Sequence, residues 1–106
     1  MQARFIHDGK SVDFFPATDV PAGTIVILGS LVGITKLDVK SNTLGAVAVV
    51  GVYDIEKTNV AVPLGSKVYW DDTAKKANLT ATGTTLLGVA VLEAAADDTV
   101  VRVRLG

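Results

Sequence analysis

The sequence predicts a single all-β domain, on three observations. Short runs rich in valine, isoleucine and threonine recur along the chain, and Gly, Pro, Asn and Asp separate them. Helical periodicity is weak throughout, and 106 residues are enough for one modest core but not for two. We therefore expect one domain over residues 1–106, a small closed or partly open β-barrel of paired hairpins with a flexible N-terminal arm over residues 1–10.

Seven strands account for these runs. They are predicted at residues 11–15, 24–28, 31–35, 45–53, 67–70, 85–92 and 99–105. In the last strand, apolar residues at positions 101, 103 and 105 alternate with Arg102 and Arg104. Because successive side chains of a strand point to opposite faces, this strand should have one buried face and one face that carries two guanidinium groups outward.

A turn motif occurs twice, with sequence VPAGTIV at residues 20–26 and VPLGSKV at residues 62–68. Proline at the second turn position has its φ already set, and glycine at the fourth is the favoured exit from a type I turn. Each copy leads into a predicted strand. An internal duplication and the reuse of good turn chemistry would both give this pattern, and both favour paired hairpins.

The chain is more apolar than a small soluble monomer requires, with 49% hydrophobic and 20% charged residues and a mean hydropathy of +0.43. A membrane-spanning helix needs roughly 18 consecutive apolar residues. Proline and glycines interrupt the uncharged stretch at residues 20–35, and we expect neither a signal peptide nor a membrane partner. The apolar surplus therefore predicts an interface with another protein subunit.

No catalytic, metal or cofactor site is predicted. The chain has no cysteine, and its one histidine, His7, lies in the predicted arm without the rigid surroundings that a catalytic base needs. The segment 8–11 (DGKS) matches the end of a phosphate-binding loop, but the leading glycine is replaced by Arg4 and a strand follows instead of a helix. The acidic pairs at 71–72 and 97–98 lack the ligand spacing of a calcium loop and fit turns.

Charge and aromatic content favour a protein partner. Ten basic residues against eleven acidic ones leave a net charge of −1, so no nucleic-acid partner is expected, and the two arginines of the last strand fit salt bridges across the sheet or to a partner. Tyr69 and Trp70 are more typical of a core or subunit interface than of a ligand platform. The candidate partner-binding residues are Phe5, Ile6, His7, Tyr69 and Trp70.

Several segments together carry a family resemblance. They are PLGSKVYWD at 63–71, TAKK at 73–76, LLGVA at 86–90 and TVVRVRL at 99–105, with DVPAGT at 19–24, LVGI at 31–34 and GVYDI at 51–55 upstream. In order and spacing they resemble the small capsid decoration (cement) proteins of tailed phages and prophages, which are sometimes mislabelled recombinase-like. The resemblance covers nearly the whole chain.

The resemblance implies a β-barrel that forms a homotrimer, binds the major capsid protein on the outer capsid surface and stabilises the shell. It implies a location on the virion capsid surface, with the host cytoplasm as the location during assembly, and it supplies no catalytic residues or cofactor. The alternative is an oligomeric ligand- or carbohydrate-binding β-barrel module, for which three Phe, two Tyr and one Trp are a thin supply of stacking surfaces. A small enzyme is the third class.

Overall fold

The computed structural model describes residues 2–106, and every regular element in that part of the chain is a β-strand. The strands are β1 (Ser11–Phe14), β2 (Ile25–Leu28), β3 (Leu31–Ile34), β4 (Gly45–Ala48), β5 (Gly51–Glu56), β6 (Lys67–Asp71), β7 (Lys76–Asn78), β8 (Thr85–Ala90) and β9 (Val100–Leu105). The all-β prediction is confirmed.

The strands form two antiparallel sheets. One has the order β1-β4-β3-β2, and the other has the order β5-β9-β8-β6-β7. The closed or partly open barrel is not confirmed, because the strands described in residues 2–106 divide between these two sheets. The outer strands of the five-stranded sheet do approach each other: Lys57, just after β5, forms an isolated bridge with Ala77 of β7, and the Thr58 N–H donates to the Ala77 carbonyl at 2.9 Å.

Two features of the strand assignment differ from the sequence prediction. The single strand expected at 45–53 is two strands, β4 and β5, which belong to different sheets. The chain changes sheet next to Gly51, whose φ of 122° is accessible mainly to glycine. The second difference is β7, which was not predicted. It has only three residues and follows the turn at 72–75, so it is too short to show an alternation of apolar and polar residues.

The two sheets repeat one arrangement of four strands. In the first sheet β1, β2, β3 and β4 have the order β1-β4-β3-β2, and in the second β5, β6, β8 and β9 have the order β5-β9-β8-β6. Each unit therefore places its first and last strands together and its hairpin on the far side. β7 is an addition to the second unit, where it extends the sheet beyond β6.

The duplicated turn occupies equivalent places in the two units. Val20 forms an isolated antiparallel bridge with Val39, and Val62 forms one with Ala94. The glycine of each turn has a positive φ, 80° in the first copy and 83° in the second.

The strand pair that follows each turn starts in the same register, and a register shift after Val68 then separates the second unit from the first. Val26 lies opposite Gly33 in the first unit, and Val68 lies opposite Gly88 in the second. Reuse of a favourable turn would not reproduce strand order and register as well. The structure therefore favours an internal duplication over independent use of the same turn chemistry.

One core joins the two sheets. Val32 and Ile34 of β3 pack in the same cluster as buried residues of the five-stranded sheet. The members from that sheet are Ile55, Val68, Trp70, Ala77, Leu87, Ala90, Val101, Val103 and Leu105. The predicted alternation of β9 is confirmed, since its residues 101, 103 and 105 are buried and those between them are exposed.

Lys57 is a buried lysine, with only 4% of the residue exposed. Its Nζ donates hydrogen bonds to three backbone carbonyls, of Val60 at 2.8 Å, Thr58 at 3.1 Å and Ala96 at 3.3 Å. An ammonium group has three donors, so these contacts satisfy all of them and compensate part of the desolvation cost. The side chain thereby connects the end of β5 to the loop before β9.

Gly88 tests the close contact between β8 and β9. A methyl group at this position would overlap the backbone carbonyl of Arg104, and backbone cannot move aside as a side chain can. We expect Gly88→Ala to lower the free energy of unfolding by about 3 kcal/mol, the upper part of the usual overpacking range. Gly29→Ala is the control: its φ of 65° is unfavourable for alanine but no atom lies within 4 Å, so about 1 kcal/mol is expected. Equal losses in urea unfolding would contradict this account.

Lys57 gives a second stability prediction. Lys57→Met keeps much of the apolar stem but leaves three inward carbonyls without their donor, so we expect a loss of about 1–3 kcal/mol in the free energy of unfolding. The exposed Lys36 provides the control, because Lys36→Met should change stability by less than about 0.5 kcal/mol. Urea unfolding of both variants measures this, and an unchanged midpoint for Lys57→Met would show that the three hydrogen bonds contribute nothing net.

Candidate partner-binding surface

The N-terminal arm presents two large apolar side chains to solvent. Phe5 is 75% exposed and Ile6 is 69% exposed, and the structure describes no strand in residues 2–10. Regular pairing begins where the Val49 N–H donates to the Lys10 carbonyl at 3.0 Å, just before β1. Exposed apolar side chains on an unpaired terminus are typical of a segment that a partner orders.

His7 lies in the same arm and is exposed. Its Nδ1 accepts a hydrogen bond from the Gly9 N–H at 2.9 Å, and Gly9 has a φ of 75°. This contact closes a local turn that separates residues 2–7 from β1.

Tyr69 and Trp70, the other two candidates, lie on β6 away from the arm's sheet. Trp70 is a core residue with 6% of its surface exposed, and its Nε1 donates to Asp72 Oδ1 at 3.1 Å. Tyr69 is half-buried. The described hydrogen bonds do not connect either residue to the arm, so their part in partner binding stays a prediction. Because Trp70 is buried, its ring is not available on the surface to stack against a sugar, and this counts against the carbohydrate-binding alternative.

The exposed face of the five-stranded sheet mixes charge with apolar surface. Its exposed residues on β5, β6, β8 and β9 are Val52, Asp54, Glu56, Lys67, Leu86, Val89, Val100, Arg102 and Arg104. At its centre Arg102 makes a bidentate contact with Asp54, with Nε–Oδ1 at 2.9 Å and Nη2–Oδ2 at 3.2 Å. This is the cross-sheet salt bridge that the alternation of β9 predicted.

The ion pair changes the titration of its carboxylate. Hydrogen bonds from the Arg102 side chain hold the pKa of Asp54 below its usual value, and the positive charge of Arg102 acts in the same direction. Partial desolvation opposes both effects. Both side chains remain about half exposed, so the pair orients the surface more than it stabilises the fold.

A groove of about 500 Å³ lies between the start of β2 and the second half of β5. Ile25 and Ile34 line it on the side of the four-stranded sheet, and residues 53–56 line it on the other side, with Trp70 and Lys75 nearby. The groove thus combines apolar side chains with the carboxylates of Asp54 and Glu56. Such a surface suits an extended apolar segment that carries a positive charge.

A second depression of about 410 Å³ lies beside the loop between β3 and β4. Its rim includes Leu37, which is 78% exposed, and Leu44, which is 68% exposed. Neither the depression nor the groove was predicted from the sequence. Both are formed by segments that are far apart in the chain, and such contacts cannot be predicted from local sequence. The only local indication was the presence of leucines in turn-rich segments, where apolar residues are unusual.

The acidic pairs lie at turns, as their sequence context predicted: Asp71 is the last residue of β6 and Asp72 begins the turn after it, and Asp97 lies in the turn before β9. Asp71 Oδ1 accepts hydrogen bonds from the N–H groups of Thr73 and Ala74 at 3.0 and 3.1 Å, and Asp98 Oδ2 accepts one from the Ala95 N–H at 2.8 Å. Among residues 2–106 no group of three or more His, Cys, Asp or Glu side chains is arranged to hold a metal ion. No helix long and apolar enough to cross a membrane occurs in the same part of the chain.

The Asp54–Arg102 pair predicts a pH dependence of stability. A carboxylate with a lowered folded-state pKa stabilises the fold above the unfolded-state value, near about 3.9, and loses this contribution as the pH falls through the folded-state pKa. The melting temperature of the wild type should therefore exceed that of Asp54→Asn at neutral pH, and the difference should disappear in acid. In an Arg102→Gln background the same substitution should produce no such difference. A difference that persists at low pH would rule out the ion pair as its source.

Comparison with known proteins gives a family match for most of the chain. A family model described as phage cement protein matches residues 6–105, which include Ile6 and His7 of the arm and all nine strands. Neither the search of curated proteins nor the search of solved structures gave a match.

Proposed function

Because the chain belongs to the phage cement protein family, we propose that it binds the outer capsid surface as a homotrimer and stabilises the shell. Membership by itself makes it a structural component associated with the phage capsid. The finer proposal names the major capsid protein as its partner, the virion surface as its location and the host cytoplasm as its location during assembly. The exposed apolar arm is the observation that carries it.

The remaining apolar surface supports an oligomer. Besides the arm, several large hydrophobic side chains stay more than half exposed in the monomer. They are Phe15, Leu37, Leu44, Val52, Leu64 and Leu92. Scattered exposed leucines are normal on soluble proteins. Here, however, the exposed apolar side chains are numerous for a chain of this size, and contact with neighbouring subunits is the simplest explanation for them.

The energetics of the arm indicate what its partner must provide. Ordering residues 2–7 costs roughly 1–2 kcal/mol per residue in backbone entropy. Burying Phe5 and Ile6 contributes about 1.5–3 kcal/mol each, which is less than the total cost for six residues. The partner must therefore also pair with the backbone or with polar side chains such as His7.

Tyr69 and Trp70 have a secondary place in this proposal. The half-buried Tyr69 can contact a partner directly, whereas Trp70 acts by fixing β6 within the core. We also propose that residues 51–105 form a partly open barrel, because the Lys57–Ala77 bridge brings together β5 and β7, the outer strands of the five-stranded sheet.

Stabilisation of the shell follows from mass action. A protein that binds the assembled lattice and not its dissociated subunits stabilises the lattice by about 2.7 kcal/mol per site when its concentration is a hundredfold above the dissociation constant. In a trimer the first contact makes the next ones effectively intramolecular, so weak individual contacts give tight overall binding. A small domain can thereby reinforce many subunit contacts at once.

Titration onto matching empty capsids tests the proposal. We expect a variant without residues 1–7 to bind the capsid at least tenfold more weakly. Its melting temperature, compared with that of the wild type at concentrations where both are monomeric, should stay within a few degrees because the arm contributes no strand to the monomer. The full-length double variant Phe5→Ala, Ile6→Ala separates the apolar side chains from the backbone. Unchanged capsid binding, or unfolding of the truncated protein, would contradict the role of the arm. Absence of three-copy assemblies, both by light scattering and on the capsid, would contradict the trimer.

A further inference from the structure

The first strand unit has a bare edge where the second does not. β2 corresponds to β6 in the duplicated arrangement, and β7 covers the outer edge of β6, with Trp70 opposite Ala77. Within residues 2–106 no strand pairs with the outer edge of β2. An edge strand presents N–H and C=O groups that another chain can pair with. The duplication therefore marks the position at which an additional strand would extend the four-stranded sheet.

The groove between β2 and β5 lies beside this bare edge. Ile25 of β2 lines it, and Ile55 adds apolar surface from β5. Asp54 and Glu56 line the same side, and both residues are exposed. An occupant needs an extended backbone to pair with β2, apolar side chains for the groove and a cation for the carboxylates.

The arm of this same chain has these properties. Arg4, Phe5, Ile6 and His7 follow one another in a segment that is exposed and free of regular structure. Fully extended, the nine residues 2–10 reach about 30 Å, which exceeds the 23 Å shortest dimension of the molecule. In an added strand alternate side chains face opposite sides, so one apolar residue and one cationic or polar residue fall on each side.

We propose that the arm of one copy adds as a strand to the edge of β2 in a second copy and fills the groove between β2 and β5. This rests on the proposed function, since it names the surface to which the partner-binding arm binds; we call this surface, the β2 edge and the groove beside it, the groove seat. Arg4 binds the Asp54 and Glu56 carboxylates, and Ile6, on the same side of the added strand, packs against Ile25. Each copy gives one arm and receives one, and such a head-to-tail contact generates closed rings, of which a trimer is one.

The topology favours a second copy over the arm's own groove. The arm leaves from β1, and the order β1-β4-β3-β2 places β1 at the opposite edge of the sheet from β2. Three strand spacings of about 4.8 Å separate these edges. An arm that bound its own groove would have to reverse direction just before β1 and cross the sheet, which would use about half of its extended length before it reached β2.

Engineered cysteines test the seat directly, because the native chain has none. Copies that carry Ile6→Cys are mixed with copies that carry Thr24→Cys and oxidised, in concentrated solution and on empty capsids. We expect a disulfide-linked pair of chains, and we expect at least tenfold less of it when Thr24→Cys is replaced by Ala81→Cys, an exposed position outside the groove. Equal yields for both partners, or no linked pair in either setting, would overturn the proposal.

A chain that carries both Ile6→Cys and Thr24→Cys distinguishes the two possible seats. An exchange between copies gives linked oligomers after oxidation, whereas an arm in its own groove gives a monomer with an internal disulfide. The second result would overturn the proposal.

Charge reversal provides an independent measurement. Arg4→Glu or Glu56→Lys alone should weaken self-association at least tenfold in sedimentation, and the two together should restore it to within about threefold of the wild type. Glu93→Lys makes the same charge change at an exposed position outside the groove and should have little effect. No restoration in the double variant would overturn the pairing of Arg4 with the groove carboxylates.

The outcomes also separate this inference from the proposed function. If removing residues 1–7 weakens capsid binding but the Ile6–Thr24 pair does not form, the arm binds the capsid protein, so the proposed function stands and the groove seat is wrong. If the pair forms but the protein does not bind capsids, the groove seat stands and the proposed function is wrong.

Discussion

The packing of β3 against the five-stranded sheet is the contact on which the rest of the structure depends. Val32 and Ile34 carry the four-stranded sheet into the core of the other sheet, since a chain of 106 residues cannot form two separate cores. Close backbone approach supports this arrangement in both units. Gly33 lies under the side chain of Val47, and Gly88 at the equivalent register lies against the backbone of Arg104.

The shared core also determines where the binding surfaces lie. Because both sheets contribute to one interior, the remaining apolar side chains of the arm, the loops and the outer sheet face stay in solvent. β2 remains an outer strand of its sheet, whereas the additional strand β7 pairs with the outer edge of its counterpart β6. A protein built this way is well suited to bind neighbouring subunits, because exposed edges and an unpaired terminus both add strands readily.

Local sequence signals predicted some features well and others not at all. The alternation in β9 predicted both its buried face and the Arg102 salt bridge, and the two Pro-Gly turns predicted the hairpins that follow them. The split at Gly51 was missed because the residues of 45–53 are uniformly strand-forming, and the change of sheet has no local signature. Lys57 was missed because a lysine after a strand reads as a surface residue, and its three carbonyl partners come together only in the fold.

The sequence by itself determined the all-β character, the position of the turns and the family resemblance. These depend on the period-two alternation of side chains and on the backbone limits of proline and glycine, which act between near neighbours. Only the tertiary structure decided that there are two sheets, that the turn repeat belongs to a duplicated unit, that Trp70 is buried and that a groove adjoins the bare edge of β2. Strand pairing and burial are contacts between residues distant in the chain, so their outcome is set by the packing of the whole domain and not by any one segment.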